Sequence, residues 1–410
     1  MDLERKSAFN IWSSTVWDRP AIRTCHLWRT IIVGLPAIWS QVYVAGGTSL
    51  EEITTWVFRA ANRPLDVYLD FTNYFEDERL QETIENVVSA WTFLSSRHIH
   101  SIRMKGSIDF GSMFPLKGNI SQLHTLDVYC QFNSDEAVTF TLFPSHMPHS
   151  LRTLIVGSED EPASFSVTPP APLDLSHLEK LQLYDAVPLD FTQALGTCDS
   201  LRVLCWCGEV LLDGPPIVLP NLEYLILDDH ELLESLELPK LHTLKLKFLK
   251  PHTFAHISRF NGLKSLIVES VITGLDTANF LASIGGVEYF MLYVNEHSLD
   301  IVKALHRFFP GSSAGSLSFP CPNLRVLECS SISDVTLLKP LVDRRVSPPL
   351  LPLEIWVPSS FRPQGDHWEE WMEKVHWGSY PFRPQIQDCE GVICKQCTQD
   401  PNNDFRLIRP

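Results

Sequence analysis

The chain has no excess of basic charge: 33 Lys and Arg stand against 49 Asp and Glu in 410 residues, a formal net charge of −16. A phosphate backbone calls for a basic footprint, so nucleic acid is not an expected partner. Long apolar runs are missing as well. The densest, "IIVGLPAIW" at 31–39, falls far short of a membrane span and holds a proline. No membrane partner is expected. Asp2 and Glu4 interrupt the N-terminus, and no signal-peptide core follows them. The ten cysteines are scattered and lack the density of a secreted disulfide framework. Reduced thiols in the cytoplasm or nucleus are the expectation. With 44% hydrophobic residues the chain is too apolar for disorder, and 410 residues exceed one compact core unless the chain repeats or closes into a barrel.

Catalytic signatures are absent too. No Gly-rich phosphate loop, Gly-x-Ser-x-Gly or His-Glu-x-x-His occurs. Cys389, Cys394 and Cys397 have the Cys-x4-Cys-x2-Cys spacing that opens some iron–sulfur sites, but no suitable fourth thiolate follows. Cys205 and Cys207 share a strand face, where two small apolar side chains fill space as well as two ligands would. His98 and His100 share a face without a further ligand at metal spacing. The sequence therefore predicts no enzyme, metal or cofactor. A hydrolase assembled from dispersed residues on a repeat fold is the remote alternative.

What the chain does have is a repeat. The pattern apolar-x-x-apolar-x-apolar returns as "LHTLDV" at 123, "LRTLIV" at 151, "LEKLQL" at 178, "LRVLCW" at 201 and "LEYLIL" at 222. It continues as "LHTLKL" at 241, "LKSLIV" at 263, "VEYFML" at 287 and "LRVLEC" at 324, with "IHSIRM" at 99 a weaker first copy. Spacings run 24, 28, 27, 23, 21, 19, 22, 24 and 37 residues, mostly near the ~20–29 of leucine-rich repeats. Each copy alternates with period two, as a short strand should, and turn signals such as "MPHS" and "CPN" precede several. The copies resemble leucine-rich repeats over their first six positions. At the ninth, where that family places Asn or Cys, the chain has Gln131, Glu159, Ala186, Glu209, His230, Leu249, Val271 and Ile332, and only Asn295 matches. Irregular loops are expected instead of an asparagine ladder.

Upstream, "TCHLWRTIIVGLPAIWS" at 24–40 puts Cys25, Trp28, Ile32 and Leu35 at helical spacing, breaks at Pro36, and resumes with Ile38, Trp39 and Val42. Cys25, Trp28, Arg29, Leu35, Pro36, Ile38, Trp39 and Ser40 resemble the C-terminal half of an F-box as found in large fungal families. "WVFRAANRPLDVYLDF" at 56–71 resembles the helix and Arg-Pro-Leu corner that lead there into the first repeat strand. The Leu-Pro-x-Glu helix that opens an F-box has no counterpart in "MDLERKSAFNIWSSTVWDRPAIRTC", so that half is degenerate or lies beyond the given start. The resemblance implies that Cys25, Trp28, Leu35, Pro36 and Trp39 contribute to binding a cullin adaptor protein.

Strand alternation sends repeat positions one, four and six into the core and positions three, five and seven outward. The outward set includes Tyr129, Ile155, Tyr184, Tyr224, Ile226, Asp228, Ile267, Glu269, Tyr289, Met291 and Tyr293. Of these, Tyr184, Tyr224, Ile226, Ile267, Tyr289, Met291 and Tyr293 are the expected partner-binding residues, since tyrosine and methionine suit protein contacts. In the tail, Trp368, Trp371, Met372 and Val375 lie on one face of a predicted short helix that caps the array or, as the second reading, binds a partner, and "SPPLLPLEIWVPSS" before it is an expected extended connection. "SEDEPASFSVTPPAP" at 158–172 is an expected acidic loop.

The fold expectation is an α/β leucine-rich-repeat-like solenoid, a parallel sheet of short strands. It divides into a helical F-box-like segment over 1–50, irregular repeats over 51–345, and a cap and tail over 346–410. The functional expectation is a substrate receptor of a cullin-type ubiquitin ligase that holds an unknown protein target on the sheet. The alternative is a repeat scaffold without adaptor binding.

Overall fold

The structure is a computed structural model. It describes residues 26–45, 48–71, 89, 91, 93–107, 120–131, 139–140, 147–158, 166–167, 174–184, 194–207, 216–228, 231–251, 253–272, 274–294, 297–305, 309–310, 317–318, 321–330, 332, 334–345, 353–362 and 370–381. The chain divides into two compact units, Met1–Ala194 and Leu195–Pro410.

The first unit opens with helices α1 (His26–Val33) and α2 (Pro36–Trp39), the break falling at Gly34 and Leu35 as the proline requires. Strand β1 (Gln41–Ala45) follows, then α3 (Leu50–Ala60). Ser49 and Glu52 form a reciprocal capping box at the start of α3, satisfying two backbone donors that the first turn leaves open. One face of α3, Ile53, Trp56, Val57 and Ala60, is buried. Five more strands continue the long ladder of this unit: β2 (Leu65–Phe71), β3 (Ile99–Ser107), β4 (Thr125–Gln131), β5 (Thr153–Ser158) and β6 (Lys180–Tyr184). Each pairs parallel with the next.

The second unit repeats the scheme with β7 (Val203–Cys207), β8 (Tyr224–Leu227), β9 (Thr243–Leu249), β10 (Ser265–Val271), β11 (Tyr289–Tyr293), β12 (Val326–Ser330), β13 (Glu354–Val357) and β14 (Val375–Trp377). These too pair parallel in chain order. Its connections carry α4 (Glu231–Glu234), α5 (Thr253–Ile257), α6 (Thr277–Ser283), α7 (Leu299–Ala304) and α8 (Lys339–Arg345). Among the described residues the long parallel ladders thus hold six short strands in one unit and eight in the other, and two-residue strand pairs such as Thr139–Phe140 with Ser166–Val167 and Ile217–Val218 with Leu236–Glu237 accompany them.

All ten copies of the repeat are strands, in the register that the pattern demands. Position four sits beside position four: Val67, Ile102, Leu126, Leu154 and Leu181 in the first unit. In the second the row reads Leu204, Leu225, Leu244, Leu266, Phe290, Leu327 and Ile355. Every member of both rows is at most 2% exposed. Each such side chain contributes roughly 1.5–3 kcal/mol of burial, and a slip by one residue would turn the whole row outward. Phe280 of α6 meets Phe290 of β11 at 6.1 Å between ring centroids, so the helices close the core from the inward side.

Most repeat strands share one form of entry. The carbonyl of position two accepts two N–H groups from the next repeat: His124 O from Arg152 and Thr153 at 2.9 and 3.0 Å, Lys264 O from Glu288 and Tyr289 at 2.8 and 3.0 Å. Side chains at position two pair along the same edge, Arg202 with Glu223 at 2.9 Å and Lys264 with Glu288 at 2.8 Å. These solvated pairs contribute about 0–1 kcal/mol each, so the backbone ladder and the core hold the array.

Two expectations need correction. "LEIWV" is no mere connection: Glu354–Val357 is ladder strand β13. The capping helix is a 3-10 turn at Glu370–Lys374, after which the chain extends as β14. Trp371, Met372 and Val375 are buried as the period implied, but pairing of β14 with β13 draws Val375 into the sheet. Trp368, Cys389, Cys394, Cys397 and most of the acidic insertion lie outside the described residues. The ninth position is also explained in part. Leu249 and Val271 pair in register at the ends of β9 and β10, and both are buried, so a longer strand stands there in place of an asparagine turn.

Candidate partner-binding surface

The two helices at the start place Trp39 in the core at 0% exposure, with the Arg59 guanidinium of α3 4.5 Å from its ring centroid. That is a cation–π contact inside the protein, and it leaves the Trp39 ring no outward face. Pro36 is half-buried at the first position of α2. Leu35 is 45% exposed, and Ile31 and Val33 of α1 are exposed with it. Cys25 lies outside the described residues, as does the side chain of Trp28. Of the five residues expected to meet an adaptor, Leu35 is the one whose described side chain stands open.

On the sheet, the outward residues form three rows, but the face is more closed than alternation alone suggests. Tyr129, Ile155, Tyr184, Ile226, Ile267 and Tyr289 are all buried, from 5% to 8% exposed. Tyr224, Met291 and Tyr293 are half-buried, as are Asp228 and Glu269. The expected open patch is therefore narrower than the sequence implied. Neighbouring strands at ladder spacing pack their large side chains sideways against one another. Gly157 shows how: it pairs with Tyr129 in the ladder, and a Cβ there would stand 2.6 Å from the Tyr129 ring. The glycine makes room for the ring to lie flat, which buries it.

In the first unit Tyr43 stacks on Tyr68 at 5.1 Å and donates its hydroxyl hydrogen bond to Asp70 at 2.8 Å. Asp127 in the position-five row is 6% exposed, 3.7 Å from Arg103. Burial pushes its carboxyl up to about 6, against the opposing pull of Arg103 and Lys180.

In the second unit the position-five row runs Cys205, Ile226, Lys245, Ile267, Met291, Glu328, Trp356 and His376 in register. Ion pairs link neighbouring strands on this face: Lys245 of this row with Glu269 at 2.6 Å, and Lys247 with Asp228 in the position-seven row at 2.9 Å. Tyr289 donates to the buried Glu328 carboxylate at 2.6 Å. Around them Ile267, Tyr289 and Val326 form an apolar cluster that Met291, Trp356 and Tyr380 flank. Tyr380 stacks on Tyr289 at 5.6 Å, and Trp356 stacks on His376 at 4.4 Å. Trp356 and Tyr380 escaped the sequence reading because no repeat motif frames them; the signal available was the alternation of "LEIWV". The thiols of Cys205 and Cys207 are buried 3.8 Å apart. Hydrogen bonding with Cys205, then burial, pushes the Cys207 thiol well up, so it stays protonated at neutral pH. His98 precedes β3, and the His100 ring packs at a tilt against His124, 4.5 Å between centroids.

The arrangement offers half-buried aromatic, thioether and paired charged groups along one face. Among the described residues no helix is long and apolar enough to cross a membrane. A scan against protein-family models gives no match to this chain, and a search of curated proteins gives none either.

Proposed function

We propose that the protein is a recognition subunit that holds a protein target on the outward sheet face, as substrate receptor of a cullin-type ubiquitin ligase. The observation that carries the reading is the second unit's outward face. There Tyr224, Met291, Tyr293 and Trp356 stand half-buried beside the ion pairs of Lys245 and Lys247. Tyrosine, tryptophan and methionine on a rigid ladder are the composition of a protein-binding surface, because they add contact area at little entropic cost. In this reading the chain supplies no catalytic residue and no cofactor. It raises the concentration of the target near the ligase by tethering. The exposed Ile31, Val33 and Leu35 support adaptor docking at the other end of the chain.

One observation favours a second reading, a scaffold without adaptor binding. Trp39 is fully buried in the chain's own core with Arg59 over its ring, so the motif it belongs to can brace the first strands without any partner.

A photo-crosslinking residue placed in turn at Tyr224, Met291 and Tyr293 of the full chain tests the surface. The same target should crosslink from all three, and Ala at an anchor among them should weaken its binding about 30-fold, as loss of ~2 kcal/mol implies. A target that crosslinks only from the helix side, for example at exposed Ala278, would move the recognition site off the sheet.

A further inference from the structure

We propose that His149, Asp174 and His177 form a site for a divalent transition metal, of which Zn2+ is the representative ion. Each contributes a donor atom, and the three atoms lie within 4.8 Å of one another. His149 sits in the turn before β5, while Asp174 and His177 sit in the turn before β6. The site therefore joins the entries of two consecutive repeats. The two imidazole rings already meet edge to face at 5.7 Å. Zinc–ligand bonds of about 2.0–2.2 Å separate tetrahedral donors by about 3.4 Å. All three side chains are exposed, so small χ rotations close the remaining distance without disturbing the core.

The turns are tied together independently of any ion. Arg152 donates from one guanidinium nitrogen to the His149 carbonyl at 2.8 Å and to the His177 carbonyl at 3.4 Å. Its charge also faces Glu179 at 3.6 Å, which offsets the cost of a cation beside a metal. Ser150 fixes the His149 turn to the preceding repeat through the Ser121 and Leu123 carbonyls, both at 2.7 Å. The Ser176 N–H donates to Asp174 at 3.0 Å and orients the carboxylate above its own turn. An exposed aspartate is ionised at neutral pH, so Asp174 supplies the anionic donor of the set.

Two imidazoles with one carboxylate form a borderline donor set. It suits Zn2+ and its first-row neighbours and discriminates against Mg2+ and Ca2+, which prefer all-oxygen shells. Three protein ligands leave a coordination position for water. A bound ion would staple the two repeats and stabilise the folded chain by mass action. The motif is hard to see in the sequence because its halves lie one repeat apart: 28 residues separate His149 from His177.

The test is calorimetric titration of the chelator-stripped full chain with Zn2+ alone, beside His149→Ala, His177→Gln and Asp174→Asn. The native chain should bind one equivalent more than each variant, or bind that equivalent about tenfold or more tightly, and Zn2+ should raise its melting temperature further. Because the three side chains are exposed, the metal-free variants should melt with the native chain, and His177→Gln, which keeps the side chain's bulk, separates ligand loss from any folding loss. Variants that match the native chain in stoichiometry and affinity, or a native chain that binds no Zn2+, would overturn the proposal.

Discussion

Asp127 is a carboxylate in an outward row that neighbouring side chains have covered, and its titration is where that burial becomes measurable. Its folded value of about 6 lies above the ordinary 3.8, with burial the largest cause. The folded state thus holds this proton more tightly than the unfolded chain does. The group's contribution to stability is fullest below about pH 4, declines as pH rises towards about 6, and is a constant penalty above that. Asp127→Asn should therefore stabilise the protein at pH 8 by an amount on the order of 1–3 kcal/mol and flatten the slope between pH 4 and 6. Denaturant melts of both proteins across that range decide it, and identical slopes would mean that Asp127 is not desolvated. Tyr289 gives a second case. Tyr289→Phe removes the hydroxyl that donates to the buried Glu328 carboxylate, at an expected loss of about 1–3 kcal/mol with the ring packing kept. A neutral substitution would show that Glu328 is satisfied without it.

At the scale of the element, the strand ladder separates what was legible in the sequence from what was not. The inward rows could be read directly, since a leucine at positions one, four and six has one place to go in a parallel ladder. Leu225→Ala and Phe290→Ala should each cost about 2–5 kcal/mol in a denaturant melt, because both side chains are 0% exposed. Tyr224→Ala, on the same strand as Leu225 but half-buried and outward, should cost well under half as much; equal losses would invert the face assignment. The outward rows are less exposed than alternation implies. Period two fixes which way Tyr184, Ile226, Ile267 and Tyr289 point, but says nothing of how far a neighbour's ring leans over. That depends on partners a whole repeat away, such as Tyr129 over Gly157 or Tyr380 on Tyr289. The tail was misread for a related reason. Trp371, Met372 and Val375 fit a helical period, yet an open ladder edge at β13 rewards extension. In the opening segment, spacing identified the helix, break and turn, but gave no hint that Arg59 would cap Trp39 from a helix 20 residues on.

At the scale of the whole molecule, the proposed receptor needs two working surfaces on one chain: an adaptor contact at α1 and a target contact on the outward sheet. Trp39 is unsuited as a probe of the first, since Trp39→Ala would hollow the core at a cost of about 3–5 kcal/mol. The exposed Ile31 and Leu35 are better placed, because a charge there disturbs a docked partner and leaves the fold intact. The most direct measurement is binding of the purified full chain to the host's cullin adaptor, native beside Ile31→Asp, Leu35→Asp and Tyr224→Ala. The account predicts a stoichiometric complex with the native chain, its loss in both aspartate variants at unchanged melting temperature, and its retention in Tyr224→Ala. An adaptor that ignores the native chain, or that binds all four proteins alike, would contradict it.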